Sequence, residues 1–121
     1  MSRRYKTLHA AVHGIEADWQ AKVVKYAQDH KWRCIHIPRP ELAPASSKGY
    51  VDLTLFPPSP YRIAPNIVFR ELKMQGGRLT KEQLEWGQHL SALGFDWGVW
   101  YFPGDWELVE RLIKPEPWIT P

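Results

Sequence analysis

The sequence predicts a single α/β domain in the order helix, strand, strand, strand, helix, strand, helix. Three observations lead there. Segments with apolar residues at three- and four-residue steps are interspersed with short alternating or apolar runs, the periods of helix and strand. Proline, glycine and serine punctuate the breaks between them. The length of 121 residues, 44% hydrophobic and 24% charged, suits one core and one domain.

The elements follow in order. Residues 1–13 read as a basic N-terminal arm, with Arg3, Arg4 and Lys6 and no acid before Glu16. From about Ile15 to Lys31, Ile15, Trp19, Val23, Tyr26 and Ala27 recur at helical steps, with Glu16 and Asp18 in the first turn, where acids complement the helix dipole. Arg33 to Ile37 reads as a short strand stopped by Pro38 and Pro40. A long loop, 38–49, carries Arg39 and Lys48. Tyr50 to Phe56 alternates as a strand, which would put Val51, Leu53 and Leu55 on one face and Asp52 and Thr54 on the other. A proline-rich loop with Arg62 leads to a strand from Ile67 to Lys73, and Gly76-Gly77 turns the chain, next to Arg78. Thr80 to Leu93 is the second helix, with Thr80 as N-cap and Gly94 where a C-cap glycine belongs. Phe95 to Phe102 is an aromatic strand, Asp105 to Ile113 a closing helix, and 115–121 a proline-rich tail. The domain proper is thus 14–114.

This composition excludes a disordered chain, a coiled-coil rod and a collagen-like fibre. No run approaches the ~18 apolar residues of a membrane span. The start has positive charge but no apolar block behind it, so no secretory signal is read. The single cysteine, Cys34, excludes an internal disulfide framework, and a cytoplasmic location is the expectation. A formal charge of +3 is weak evidence for an anionic partner. The seven tryptophans suit core filling, with base stacking as the alternative for some of them.

One constellation carries chemistry. Residues two apart on a strand share a face, so Glu71 and Lys73 point the same way. If the second and third strands pair as a hairpin, Asp52 stands beside Glu71. Two neighbouring carboxylates repel unless a cation joins them, and Mg²⁺ is bound through one or two carboxylates plus waters and phosphate oxygens. Such a site suits phosphodiester hydrolysis, the metal activating water and neutralising phosphate charge. Lys73 would orient the water or stabilise developing charge, an electrostatic role rather than that of general base. The competing reading is a solvated Glu-x-Lys ion pair with Asp52 as an edge-strand charge.

Gly49-Tyr50-Val51-Asp52-Leu53, then Glu71-Leu72-Lys73, then Gln83-x-x-Trp86 on a helix resembles the PD-(D/E)XK nuclease superfamily, and within it the short stand-alone form of the VRR-NUC family. The likeness runs from about Gly14 to Phe102. It implies a restriction-endonuclease-like α-β-β-β-α-β core, a mixed central sheet flanked by helices. It implies Asp52, Glu71 and the backbone carbonyl of Leu72 as ligands of Mg²⁺ or Mn²⁺, Lys73 as the catalytic lysine, Glu16 reaching in from the first helix, for a second metal or a water, and Gln83 facing the site. Val51 stands where the superfamily name has proline. Gln83 has a second reading, because Thr80-Lys81-Glu82-Gln83 fits a capping box. Glu16 has one as well, as an ordinary first-turn acid.

The resemblance further implies an endodeoxyribonuclease that resolves Holliday junctions or related branched DNA as a homodimer, a role in DNA repair or recombination. Arg3, Arg4, Lys6, Arg39, Lys48, Arg62 and Arg78 are candidate phosphate contacts, which set affinity but carry no base information. The alternatives are a nuclease of the same fold with another DNA substrate (nickase, flap or restriction-type) and a non-catalytic nucleic-acid-binding module. His9 and His13 have helical metal spacing but no partner acids or cysteines.

Overall fold

The computed structural model describes residues 2–36, 44–58 and 67–114, with side chains of the first helix from Glu16 onward. Its elements are α1 (Ser2–Asp29), β1 (Arg33–His36), β2 (Leu53–Phe56), β3 (Val68–Met74), α2 (Lys81–Ala92), β4 (Asp96–Phe102) and α3 (Trp106–Ile113), with one 3-10 turn at Ala45–Ser47. The element order is the one read from the sequence. Ile37, Arg39, Arg62 and the tail 115–121 lie outside the described residues.

The four strands form one mixed sheet in the order β1-β2-β3-β4. The β1/β2 and β2/β3 pairs are antiparallel, and β3/β4 is parallel. A parallel pair needs a crossover, and α2 supplies it. The larger core lies between the sheet and the helices α1 and α3, where Trp19, Val23, Leu53, Leu55, Leu72 and Val109 are buried. The smaller core lies on the α2 face, built from Val51, Phe69 and Leu90, with Tyr50, Trp86 and Trp97 packed against it. Most tryptophans do fill the core. Trp19, at 1% exposed, also donates its indole N–H to Trp100 O at 3.3 Å, since a buried polar tip needs a partner.

The structure corrects three sequence expectations. The basic arm is the first half of α1, which runs unbroken from Ser2 through Gly14. A lone helical glycine costs only about 1 kcal/mol, so it weakens a helix without ending it. Leu8, Val12, Ile15 and Trp19 already step by four, three and four in the sequence. At the other end, α1 stops at Asp29 because Lys31 turns left-handed (φ 71°) and Trp32 N–H returns to Ala27 O at 3.0 Å. Third, Val51 does not share a face with Leu53 and Leu55. Pairing starts at Leu53, the backbone bends at Asp52, and the two-residue period breaks there. Val51 therefore packs with Phe69 and Leu90 under α2.

Candidate metal centre

The register of β2 and β3 builds the site. Leu53 lies opposite Arg70, so the preceding residue, Asp52, falls beside Glu71. Asp52 N–H donates to Glu71 Oε1 at 3.3 Å, and Asp52 Oδ2 accepts from Leu72 N–H at 2.8 Å. Each carboxylate takes a backbone amide of the other segment, so the pair extends the ladder back beyond the start of β2. The sequence reading of adjacent acids holds as geometry, although the Asp52 carboxylate reaches along the sheet to an amide rather than standing off its face.

Glu71 is the unusual member. It is fully buried at 0% exposed, and its Oε2 has no hydrogen-bond partner. A buried unpaired carboxylate oxygen is costly in an apolar surround. Burial first, and the Asp52 charge second, push the Glu71 carboxyl up to about 8 against the pull of the Asp52 amide and the Lys73 charge. Burial raises Asp52 too, opposed by the Leu72 amide, the Lys73 charge and a side-chain hydrogen bond with Glu71. Without a cation the pair therefore retains a proton at neutral pH, as closely spaced carboxylates do.

Lys73 is half-buried on the face of Glu71, and its charge favours the ionised form of both acids. The turn after β3 folds back beside it. Gly77 N–H donates to Met74 O at 2.8 Å, and a Cβ on Gly77 would lie 3.6 and 3.7 Å from Lys73 Cβ and Cδ. Arg78 is exposed on that same turn. The Leu72 N–H and C=O leave β3 on one edge, so the carbonyl lies on the Asp52 side of the strand.

The remaining sequence candidates stand apart. Glu16 is half-buried on α1, a helix packed on the opposite face of the sheet from Phe69, Glu71 and Lys73. Among the described residues, no three His, Cys, Asp or Glu side chains gather into a group able to hold a metal ion, so Glu16 does not join Asp52 and Glu71. Gln83 makes the capping box. Its Oε1 accepts from Thr80 N–H at 2.8 Å, and Thr80 Oγ1 accepts from Gln83 N–H at 3.1 Å. Lys48 is exposed and pairs with Glu82 at 3.5 Å. Arg3, Arg4, Lys6, His9 and His13 lie on the first half of α1, where side chains are outside the described set. Cys34 is free and half-buried, and burial raises its thiol pKa.

The sequence reading missed how α2 is fastened to the segment before Asp52. Gly49 has φ +84°, and a Cβ there would come within 2.5 Å of Glu82 backbone. Only glycine meets both demands. Trp86 Nε1–H donates to Lys48 O at 3.0 Å, and its ring stands edge-on to Tyr50 at 5.1 Å. The one available signal was the pairing of Gly49-Tyr50 with Trp86 as aromatic and glycine positions of a single motif.

Two carboxylates, one with a buried unpartnered oxygen, are hard donors of the kind taken by a divalent ion such as Mg²⁺ or Mn²⁺, which completes its shell with water and phosphate oxygens. Against known proteins, the chain matches no family model, no curated protein and no solved structure. Among the described residues, no helix is long and apolar enough to cross a membrane.

Proposed function

We propose that the chain is a Mg²⁺- or Mn²⁺-dependent endodeoxyribonuclease of the restriction-endonuclease-like PD-(D/E)XK class. The observation that carries the reading is Glu71 Oε2: fully buried, unpartnered and next to a second carboxylate. Asp52 and Glu71 would hold the ion, with the Leu72 carbonyl on the same edge. A bound divalent ion supplies Lewis-acid polarisation of the phosphate and a more acidic water. Lys73 supplies fixed positive charge where negative charge develops on the phosphate oxygens. Arg78, one turn away, anchors a neighbouring phosphate. The preference for branched DNA, cut by a homodimer on two strands, rests on the motif resemblance, and two-fold symmetry suits paired cuts.

A second reading has its own support. Because each carboxylate caps a backbone amide, the pair also serves as a structural terminus for β2, as in a non-catalytic nucleic-acid-binding module. The deciding experiment is cleavage of a labelled four-way junction beside matched linear duplex, with Mg²⁺, Mn²⁺ or chelator, using wild type and Lys73→Ala. Paired, metal-dependent cuts on the junction, lost in the variant, support the proposal. Equal cutting of linear duplex keeps the nuclease and discards junction preference. No cutting by folded protein favours the non-catalytic module.

A further inference from the structure

Asp52 lies outside the β2 ladder, which begins at Leu53. Its carboxylate is therefore aimed from two sides: by Leu53 behind it and by residues 48–51 ahead of it. The latter segment is held by α2. Trp86 is the side chain that touches it repeatedly. Its indole N–H donates to Lys48 O at 3.0 Å, its ring meets Tyr50 edge-on at 5.1 Å and 88°, and it packs against the cluster that contains Val51. The first two contacts fall four and two residues before Asp52. Tyr50 is tied onward, its hydroxyl hydrogen-bonded to Thr54 Oγ1 at 2.7 Å, so the segment bridges α2 and β2 across the bend. The Lys48–Glu82 ion pair at 3.5 Å and the Gly49–Glu82 approach bring the same two segments together; the ion pair is exposed, as the indole hydrogen bond is, but longer, and the approach is non-directional. The indole hydrogen bond is the directional contact.

We propose that Trp86 is a positioning residue for Asp52: by fixing Lys48 and Tyr50 it holds the Asp52 carboxylate on the Leu72 amide and beside Glu71. Its importance for metal binding rests on the nuclease reading; its effect on Asp52 does not. A residue that orients a ligand typically alters metal affinity by about 10–100-fold when lost.

The test compares Trp86→Phe, which keeps a ring and removes the N–H, with Leu90→Ala, which loosens the same apolar cluster and leaves the Trp86–Lys48 and Tyr50–Thr54 hydrogen-bonding groups in place. The first readout is amide hydrogen exchange of metal-free protein by ¹H–¹⁵N NMR. The Leu72 amide, bonded to Asp52 Oδ2, should exchange about tenfold faster in Trp86→Phe than in wild type, relative to other β3 amides. In Leu90→Ala the β3 amides should shift together. The second readout is Mn²⁺ affinity by calorimetry, expected to fall about tenfold in Trp86→Phe and to hold in Leu90→Ala. Leu72 exchange that moves no more than its neighbours in Trp86→Phe overturns the proposal. Should wild type bind no Mn²⁺, the metal-centre reading fails by itself, and the Leu72 amide still decides the role of Trp86.

Discussion

Replacing Glu71 with glutamine should remove the pH dependence of stability that this carboxyl gives the metal-free protein. The Glu71 carboxyl is raised from 4.5 to about 8 in the folded state. Between those values the folded chain holds a proton that the unfolded chain has released. Unfolding free energy therefore falls as pH rises through this window, with the full contribution present below 4.5 and lost above about 8. The slope for one proton is at most about 1.4 kcal/mol per pH unit, so the loss across the window is on the order of a few kcal/mol. Burial raises Asp52 in the same sense. The Glu71→Gln side chain would keep a carbonyl to accept the Asp52 amide and carry no charge. Urea unfolding with chelator at pH 5 to 9 should show wild type losing stability toward pH 8 and Glu71→Gln falling less steeply, with only the Asp52 contribution left, the variant ending more stable. Mn²⁺ at 100 times its Kd should restore about 2.7 kcal/mol to wild type at pH 8, and nothing to the variant. Parallel profiles for the two proteins would refute the burial argument.

Three further outcomes follow. Gly49→Ala should cost more than about 1 kcal/mol in chemical denaturation, because its φ of +84° and the Glu82 backbone at 2.5 Å leave no strain-free Cβ. Thr80→Ala should cost about 1 kcal/mol by loss of the α2 cap, with DNA cleavage rates unchanged; a large loss of cleavage would instead give the Thr80–Gln83 pair a role in the site. Lys73→Ala should remain folded but lose some metal-free stability toward pH 8, because its charge favours ionised Asp52 and Glu71, and should cleave about 10²–10³-fold more slowly in single-turnover assays, the range for losing one charge-stabilising donor.

The sequence carried the element order because helix and strand periods were clean and the breaks were marked by Thr80, Gly94 and the prolines. It carried the Asp52–Glu71 adjacency on one condition, that the second and third strands pair as a hairpin, and they do, with Leu53 opposite Arg70. It misread Val51, since a bend at Asp52 is a tertiary feature with no local residue signature. It broke α1 at Gly14, where the propensity of the flanking residues outweighs one glycine. The capping-box reading of Gln83 was decided only by its two hydrogen bonds with Thr80. Glu16 showed the limit of motif transfer: with α1 starting at Ser2, Glu16 and Asp18 lie mid-helix rather than in the first turn, and Glu16 does not group with Asp52 and Glu71. The burial of Glu71 was illegible too, since a Glu-x-Lys on a strand reads equally as solvated.

Centrally, Glu71 Oε2 is proposed to lie unpartnered beside Asp52 because a cation belongs there. Mn²⁺ titration by calorimetry at pH 8, in two buffers of different ionisation heat, tests this directly. The expected result is one Mn²⁺ bound per chain with proton release, abolished in both Asp52→Asn and Glu71→Gln. Absence of binding to folded wild type, or binding that survives both substitutions, would contradict it.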